Sequence, residues 1–379
     1  MHSSDLSPSS STARSRRQVS STSFTSDPLR WLDETAADRR GVRWMSESSL
    51  CVYDARVARS LLKNDGGRIA ENSDFFGTGP GALAPRSAQV ALARECHFLV
   101  QRHARGIDFE AHVTRLGPRS RWPEAGNALI LAIMRPALAA SERSAEFHAA
   151  LDRLVAARIL SRHCRPASLV RRIIDRFRLF RAFSREAEAR PAGTVDDIFD
   201  AVLRSGGALD EEAQLQLYAG FVFAIVGSVG FAFGWSAILA VLHGRTDHGR
   251  PAHLVSEALR LYPVAWLLER RTLGREEILG EKVGPADTIS ISPYAIHRNP
   301  AYWDRPTEFI PERWQGKGDR SAWLPFGAGN HSCVAATLTL EMVSLLLDAT
   351  FRRPVAIEMG QSGPSIGAAL APPPFTLIR

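Results

Sequence analysis

Cysteine is scarce in this sequence, and its placement argues against two kinds of structure. The 379 residues include four cysteines, Cys51, Cys96, Cys164 and Cys333, with no C-x-x-C pair and no regular spacing. Neither a disulfide framework nor a cysteine zinc site is therefore indicated. A reducing, cytoplasmic environment suits this usage best.

The sequence also lacks a block of basic residues, although it is basic overall. Its 47 Lys and Arg against 40 Asp and Glu give a net charge of +7, which favours acidic partners. The arginines are scattered, and no zinc-finger, RRM-like or basic-zipper pattern accompanies them. An acidic redox protein is thus a better candidate partner than nucleic acid. A hydrophobic content of 45% is enough for a sizeable core.

Residues 1–26 contain few acidic or large apolar residues and are rich in Ser, Thr and Arg. Such a composition cannot bury a core and predicts a disordered leader. An organelle transit peptide has a similar composition and is the alternative. There is no apolar segment of the kind that a secretion signal needs. We expect residues 27–379 to form a single domain.

Charged residues are absent from all 26 positions of Leu217–Leu242. By hydropathy alone this run qualifies as a transmembrane span, and its Gly230-x-x-x-Gly234 is a membrane-helix pattern. However, acidic residues at 210–212 and a His243-Gly244 stop are typical of a soluble helix. An apolar helix also suits the interior of a large protein, so a buried helix is the preferred prediction. Its glycines lie near one face, which predicts that a broad, flat group lies against the backbone. These glycines are Gly220, Gly227, Gly230 and Gly234.

A second notable stretch runs from Phe326 to Cys333. Gly327 and Gly329 allow a sharp turn and close approach to a flat partner. An apolar run with helical spacing follows, so Cys333 is predicted at a helix N-terminus, where the dipole favours a thiolate that could bind a metal. The alternative is an inert, buried cysteine.

The spacing Phe326-x-x-Gly329-x-His331-x-Cys333 resembles the haem-binding loop of the cytochromes P450. An E-x-x-R motif, Glu257 to Arg260, and a P-E-R-W segment, 311–314, precede the loop in the order of that family. The resemblance implies a mostly α-helical P450 fold with a small β region. Haem would lie between the long central helix and the cysteine loop.

The same resemblance assigns roles on the cysteine side of the haem. Cys333 would be the axial ligand of the iron, and His331 would bond a haem propionate. Phe326 and Gly329 would be the other cofactor-binding residues of the loop. Glu257, Arg260 and Arg313 would form a buried, structural charge cluster.

Further haem contacts are implied elsewhere in the chain. A predicted helix over 88–106 carries His97 and Arg102, which would bond propionates. For Arg102 a solvated helix face is the alternative. The family's usual arginine four residues after His97 is Gln101 here. Arg270 or Arg271 would supply another propionate contact, and Arg271 is favoured by its offset in the sequence.

On the opposite side of the haem, the resemblance points to the long helix. Ser228 stands where the family has an alcohol, and Gly227 stands where it has an acid. The pair that supports proton delivery to bound dioxygen is therefore incomplete. Ser228 could equally be a serine bonded back to its own helix.

The predicted function is that of a haem-thiolate monooxygenase containing haem b. Its expected substrate is a small hydrophobic natural product, terpenoid or polycyclic. A ferredoxin or flavodoxin with an NAD(P)H reductase would supply electrons. We expect a cytoplasmic monomer with no membrane anchor and no nucleic-acid partner. The alternatives are a non-hydroxylating oxidation, such as oxidative coupling, ring formation, rearrangement or peroxide-driven oxidation, and a non-catalytic haem- or ligand-binding protein.

Overall fold

The fold was analysed in a computed structural model that describes residues 24–70, 86–156, 159, 168–189, 194–206, 209–247, 249–316 and 318–379. The α-helices in these residues are Pro28–Ala36 (α1), Ala55–Lys63 (α2), Arg86–Ala104 (α3), Phe109–Thr114 (α4), Glu124–Leu138 (α5), Ala145–Val155 (α6), Leu169–Glu188 (α7), Ile198–Ser205 (α8), Glu211–Val222 (α9), Ser228–Leu242 (α10), Pro251–Leu261 (α11), Pro293–Ile296 (α12) and Ala336–Phe351 (α13). The strands are Val42–Ser46 (β1), Ser49–Val52 (β2), Arg119–Trp122 (β3), Leu268–Arg270 (β4), Glu276–Ile278 (β5), Glu281–Val283 (β6), Thr288–Ile291 (β7), Ala356–Met359 (β8), Ser365–Ile366 (β9), Leu370–Ala371 (β10) and Phe375–Ile378 (β11).

The strands form small sheets at the edges of the helical body. One sheet has the order β1-β2-β7-β4, in which β2 and β7 run parallel and the other pairs are antiparallel. A second has the order β3-β11-β8, and β5-β6 and β9-β10 are two-stranded. The mostly helical architecture with a small β region is as predicted.

Helix boundaries follow the capping chemistry of the sequence. The side chain of Asp54 accepts a hydrogen bond from the N–H of Val57 at the start of α2, and Asn64 ends that helix in the left-handed conformation. An aspartate or asparagine at these positions satisfies backbone groups that the helix leaves unpaired. These two caps set the bounds of α2. Pro136 does not interrupt its helix, because it lies inside the last turn of α5.

The predicted disordered leader lies mostly outside the described residues. The described part begins at Phe24, whose ring lies 5.5 Å from that of Trp31 and stacks at 6.2 Å on that of Trp266. Ordered packing thus begins within the last three residues of the predicted leader.

The long apolar run forms one continuous helical rod through the core. It consists of α9, a π-helical turn at Phe223–Gly227, and α10. The Asp210 side chain caps its start, and Gly244 beyond its end has a positive φ of 61°. Within the part of the chain that the structure describes, this helix, Glu211–Leu242, is long and apolar enough to cross a membrane. However, 78% of its 18-residue apolar stretch is buried within the protein. This burial supports the interpretation as a core helix.

The glycines of this rod make room for neighbouring parts of the chain. A Cβ on Gly230 would lie 2.6 Å from Asn127 Oδ1, and a Cβ on Gly234 would lie 2.9 Å from Pro372 Cγ. The prediction of a flat partner against these two residues is therefore wrong. Their faces are occupied by α5 and by the segment that leads to β11.

Substitution of Gly230 by valine is expected to lower the free energy of unfolding by about 2 kcal/mol, because the core around Asn127 is already filled. Asn127 cannot easily turn away, since its Nδ2 donates to Pro123 O at 3.0 Å. Urea unfolding would measure the change. Gly274→Val is the control, because nothing lies within 4 Å of its Cβ position. Equal losses in both variants would contradict this explanation.

Candidate functional site

The loop from Phe326 to Cys333 folds back on itself through two left-handed glycines. Gly327 and Gly329 have φ values of 70° and 68°, and the N–H of Cys333 donates to Phe326 O at 2.9 Å. A Cβ on Gly329 would lie 2.5 Å from Lys63 Cα. The predicted sharp turn is therefore present, but the close approach at Gly329 is to the end of α2.

The thiol of Cys333 lies at the outer edge of this loop and is exposed. Surrounding protein atoms nevertheless desolvate the sulfur and raise the pKa of the Cys333 thiol, while the N–H of Ala335 acts in the opposite direction. The expectation that a helix dipole favours the thiolate is wrong here. Helix α13 begins only at Ala336, and the dipole effect falls off within the first turn. A bound cation at this sulfur would favour the thiolate.

A fully buried carboxylate, Glu257, organises the protein behind the loop. Both of its oxygens accept hydrogen bonds from the Arg260 guanidinium at 2.8–2.9 Å. Arg313 Nε and the N–H of Ile310 donate to Oε1, and Trp314 Nε1 donates to Oε2, each at 2.9 Å. Both arginines of the predicted cluster, Arg260 and Arg313, thus bond Glu257 directly. Five donors satisfy the buried charge, as burial of a carboxylate requires.

Arg260 also bonds backbone carbonyl groups of the chain segment that precedes the cysteine loop. Its Nη1 donates to the carbonyl oxygens of His297 and Pro306, and its Nη2 donates to that of Glu308. All five guanidinium hydrogens therefore have acceptors. The Trp303 ring lies 5.3 Å from its central carbon, which adds a cation–π contact.

His297 connects the E-x-x-R helix to the cysteine loop. Its Nδ1 lies 3.0 Å from Arg260 O, and its Nε2 accepts from the N–H of Leu324 at 2.8 Å. Because Nε2 accepts, Nδ1 must carry the proton, and the ring is neutral. Burial, helped by the Arg260 charge, lowers the pKa of His297 to about 3.

This arrangement predicts a loss of stability in acid. Between pH 6.5 and 3 the unfolded chain binds a proton that folded His297 does not, so the free energy of unfolding falls by up to about 1.4 kcal/mol per pH unit. In His297→Gln, the loss between about pH 7 and about pH 5 should be smaller by about 2 kcal/mol. Urea unfolding at the two pH values would measure it, with His243→Gln, an exposed position, as the control. An unchanged pH dependence in His297→Gln would contradict the assignment.

The long helix presents a partly accessible surface at its π-helical turn. Phe223, Ala224, Ile225 and Ser228 are partly exposed, whereas 229–240 are buried. The N–H of Ser228 donates to Phe223 O, which closes the wide turn. Such turns often occur at functional sites.

Gly227 is buried in this turn, away from the accessible surface. A Cβ there would lie 3.1 Å from Phe223 Cδ2 and 3.4 Å from Ile159 Cδ1. An acidic side chain at this position would therefore enter an apolar contact. The sequence supplies no carboxylate at position 227, and the packing around this position would not suit one.

His97 and Arg102 do not share a surface of α3. Nδ1 of His97 is buried and has no hydrogen-bond partner among the described residues. Arg102 Nη2 instead donates to Asp196 O at 3.1 Å, just before α8. Five residues along a helix correspond to about 140° of rotation. Arg102 is therefore directed away from the surface that holds His97, which disfavours its predicted contact with a propionate.

The register of β4 separates the two candidate arginines that follow α11. A Cβ on Gly327 would lie 3.8 Å from Leu268 Cδ1, so Leu268 faces the cysteine loop. Alternation along a strand puts Arg270 on that same side and Glu269 on the other, and Arg271 is exposed beyond the strand. The register therefore does not favour the offset-based choice of Arg271, and it favours the other candidate, Arg270.

Solved structures resemble this architecture over nearly the whole chain. A mutant of P450 EryK in complex with erythromycin B aligns with a TM-score of 0.70 and 18% identity, covering 94% of this chain and 97% of that one. A zebrafish cytochrome P450 with abiraterone gives a TM-score of 0.70 and 17% identity, covering 93% and 98%. These likenesses establish the fold.

The sequence itself matches the family model for cytochrome P450 over residues 252–354. The chain belongs to the cytochrome P450 family. Cyclooctatin synthase from Streptomyces melanosporofaciens is 41% identical over 98 residues, which are 25% of this P450 and 21% of that protein. Cyclooctat-9-en-7-ol 5-monooxygenase from the same organism is 39% identical over 98 residues, with the same coverage. The match thus spans about a fifth of the length of these relatives.

The residues of this P450 suit the haem iron and cysteine thiolate that the family implies. Cys333 presents an exposed sulfur from a loop that directly follows Leu324, whose N–H is bonded to His297. No group of three or more His, Cys, Asp or Glu that could hold a metal ion occurs within the described ranges. A single sulfur suits a metal whose other ligands come from a prosthetic group. The orphaned Nδ1 of His97 could serve a haem carboxylate.

Sequence reasoning missed two residues of this P450 that hold the cysteine side together. Trp314 donates to Glu257, and its signal was its place at the end of the P-E-R-W segment. His297 joins Arg260 to Leu324, and its signal was a histidine inside an otherwise apolar stretch after β7. Neither bond can be derived without the fold, since 57 and 37 residues separate Trp314 and His297 from their partners on α11.

Proposed function

We propose that this P450 is a haem-thiolate monooxygenase that oxidises a hydrophobic natural product with dioxygen. The observation that carries the proposal is the exposed Cys333 sulfur, on a turn that the Cys333 N–H closes by donating to Phe326 O. Glu257 bonds Trp314, and the Trp323 ring lies 5.1 Å from that of Trp314 and 5.9 Å from that of Phe326 at the start of the turn. A haem with a thiolate ligand supplies the electron-rich iron that favours cleavage of the O–O bond.

The chain's own residues would hold this group, haem b, from three directions. Cys333 would bind the iron from the loop, and the backbone of Phe326 and Gly329 gives the loop its shape. His331, two residues before the cysteine, and His97 on α3 would bond the propionates. Arg270 on β4 adds a cation on the side that faces the loop.

Rigidity on the cysteine side is the main contribution of the protein to this chemistry. Bonds from Glu257 and His297 fix the position from which the sulfur approaches the iron, so the ligand does not have to be ordered at each turnover. Glu257, Arg260 and His297 are themselves fully buried, which limits the access of water to the network.

Across the haem, Ser228 lies on the partly accessible surface at the π-helical turn. Its hydroxyl could hold a water or pass on a proton at this surface. The apolar side chains of Phe223 and Ile225 on the same surface suit a hydrophobic substrate. The relatives named for cyclooctatin and cyclooctat-9-en-7-ol support a natural-product substrate, terpenoid or polycyclic.

Electrons would come from a ferredoxin or flavodoxin and its NAD(P)H reductase. The formal charge of +7 supports an acidic carrier, because opposite charges speed the encounter of two proteins. We also propose that the protein is monomeric and cytoplasmic.

Turnover with isotopically labelled dioxygen tests the reaction. The holoprotein would be supplied with a ferredoxin, its reductase and a panel of sesquiterpenoids, after substrates are selected by a shift of the haem spectrum on binding. One labelled oxygen atom in the product is the expected result. A product without label would exclude monooxygenation.

Gly227 favours a second candidate, a haem-thiolate oxidation that inserts no oxygen. An acid is absent at this position, and Phe223 and Ile159 fill the space around it. Coupling, ring formation or peroxide-driven oxidation would depend less on proton delivery to dioxygen. The same experiment separates the two, because such a reaction gives an oxidised product without label or requires peroxide in place of the reductase.

A further inference from the structure

A cleft of about 190 Å³ lies between helix α2 and strand β5. Val57, Ser60 and Leu61 line it from the helix, and their i, i+3, i+4 spacing puts them on one face of α2. Residues 276–279, from β5 and the turn after it, line it as well, together with Ile69. We refer to this space as the α2–β5 cleft.

Strand β5 borders the cleft with its edge rather than with one of its faces. Side chains alternate between the two faces of a strand, yet the four consecutive residues 276–279 all line the cleft. Among the described strands, β5 pairs with β6 alone, so its second edge is open. This open edge therefore faces α2.

The backbone groups at the open edge belong to Glu277. The turn at 279–280 has positive φ values of 49° and 85°, as in a tight two-residue hairpin. Ile278 and Glu281, on either side of that turn, therefore form a hydrogen-bonded pair. Glu277 and Lys282 come next in the register. Because such pairs alternate, the N–H and C=O of Glu277 point away from β6, and no backbone group in the described ranges bonds them.

The rest of the hairpin is anchored, so β5 presents a fixed edge. Trp44 Nε1, on β1, donates to Glu281 Oε2 at 2.7 Å. Arg68 Nη1 donates to Glu276 Oε2 at 3.0 Å. An edge held in an extended conformation can pair with another chain at little further cost in ordering.

The two faces of β5 define which side chains an added strand would carry. Ile278 is 6% exposed and Glu277 is exposed, so the Glu277 carboxylate lies on the outer face. A residue opposite Glu277 would share this face, where a basic side chain is favoured. Lys282 is the neighbour of Glu277 on the other side. The residues before and after the basic one would point inward, toward Leu61 and Ile69, which are buried.

The size of the α2–β5 cleft suits side chains rather than a whole small molecule. Drug-sized ligands occupy pockets of about 300–1,000 Å³, whereas a space of about 150 Å³ holds a benzene-sized group. Two exposed leucines, Leu273 and Leu279, extend the apolar surface, since they are 65% and 46% exposed. Leu279 lines the cleft, and the N–H of Leu273 donates to the carbonyl oxygen of Arg68, which also lines it.

We propose that the open edge of β5 captures an extended peptide segment of a partner protein with the pattern apolar-basic-apolar. Its backbone would pair with the N–H and C=O of Glu277, and its two apolar side chains would enter the α2–β5 cleft. Addition of a strand to an exposed sheet edge, with pockets for alternate side chains, is a general mode of peptide recognition. This capture does not depend on the proposed reaction.

Fluorescence anisotropy with the full-length holoprotein tests the capture. The probe is a fluorescently labelled pentapeptide, Thr-Val-Lys-Val-Thr, with blocked termini so that lysine carries its only charge. Saturable binding is expected. Glutamate in place of lysine in the probe should weaken binding by about fivefold, because it puts like charges opposite one another.

N-methylation of the probe separates strand pairing from apolar adhesion and leaves the protein unaltered. An added strand directs only alternate N–H groups toward its neighbour. A methyl group on the lysine nitrogen would block antiparallel addition, and one on the nitrogen of the second valine would block parallel addition. One of the two should therefore weaken binding about tenfold, while the other should change it by less than about threefold.

Two variants at one position separate the backbone of β5 from its charge. Glu277→Pro removes the N–H at the open edge and no bond of the hairpin, and an edge strand accepts proline at such a position. It should bind the probe about tenfold more weakly. Glu277→Gln keeps the backbone donor and loses the charge, so it should bind no more than about fivefold more weakly. Circular dichroism would verify that both variants keep the fold.

Three outcomes would overturn the proposal. The first is no saturable binding of the probe, and the second is an equal effect of the two N-methylations. The third is a dimer of this chain that Glu277→Pro dissociates in analytical ultracentrifugation, which would assign the open edge to a second copy of the protein.

Discussion

Glu257→Gln is expected to lower the free energy of unfolding by about 3–5 kcal/mol, the range for breaking one side of a buried ion pair. Arg260 and Glu257 are both fully buried, and Arg313 is largely so. Glutamine would leave two guanidinium groups without a counter-charge and would turn an N–H donor toward Arg313, Ile310 or Trp314. Since this cluster supports the cysteine loop, loss of bound haem should accompany the loss of stability.

The matched control for this change is Glu312→Gln, in the same P-E-R-W segment. Glu312 forms a salt bridge to Arg245 at 2.8 Å with both side chains about 40% exposed, and such surface pairs contribute less than about 1 kcal/mol. Urea unfolding and haem content would be measured for both variants. Similar losses at the two positions would show that burial of the charge is not the cause.

The cysteine side of the site could be predicted from sequence because its motifs are short and rigidly ordered. Glu257 and Arg260 lie one helical turn apart, so their contact follows from helix geometry. The positive φ of Gly327 and Gly329 follows from the need for a sharp turn. In each case the residues that touch are close in the chain, or belong to a motif whose order along the chain carries the information.

Other features depend on distant contacts that local patterns do not encode. Arg143 donates to buried Asp197 and Asp200, 54 and 57 residues away, and nothing near Arg143 in the sequence signals that partnership. The choice of Arg270 over Arg271 required the position of Leu268 against the loop. A one-residue shift in a strand reverses the side on which each side chain lies, so an offset counted along the sequence could not decide it.

The glycines of the long helix illustrate a further ambiguity. Four glycines on one face predict close approach, but they do not identify what approaches. At Gly230 the neighbour is Asn127 and at Gly234 it is Pro372, both from this chain. Close helix packing and close binding of a cofactor require the same small residue, and only the fold separates them.

Cys333→Ser is expected to abolish the thiolate-type Soret band of the reduced CO complex and with it the oxidation of substrate. Serine keeps the size of the side chain but does not supply the electron-rich sulfur that favours O–O cleavage. Because Cys333 is exposed and its N–H bond to Phe326 O involves only backbone atoms, the free energy of unfolding of the apoprotein should change by less than about 0.5 kcal/mol. The substitution therefore separates ligation of the iron from folding.

Cys96→Ala provides the control for this last prediction. Cys96 is 3% exposed within the core, so its thiol is not accessible and cannot replace Cys333 as a ligand. This variant should lose some stability through the cavity it creates, yet keep the thiolate-type band. Retention of that band in Cys333→Ser, or its loss in Cys96→Ala, would contradict the assignment of Cys333 as the haem ligand. Cys333→Ser should lose the band and keep its stability, whereas Cys96→Ala should keep the band and lose some stability. Misfolding alone would not produce this pattern.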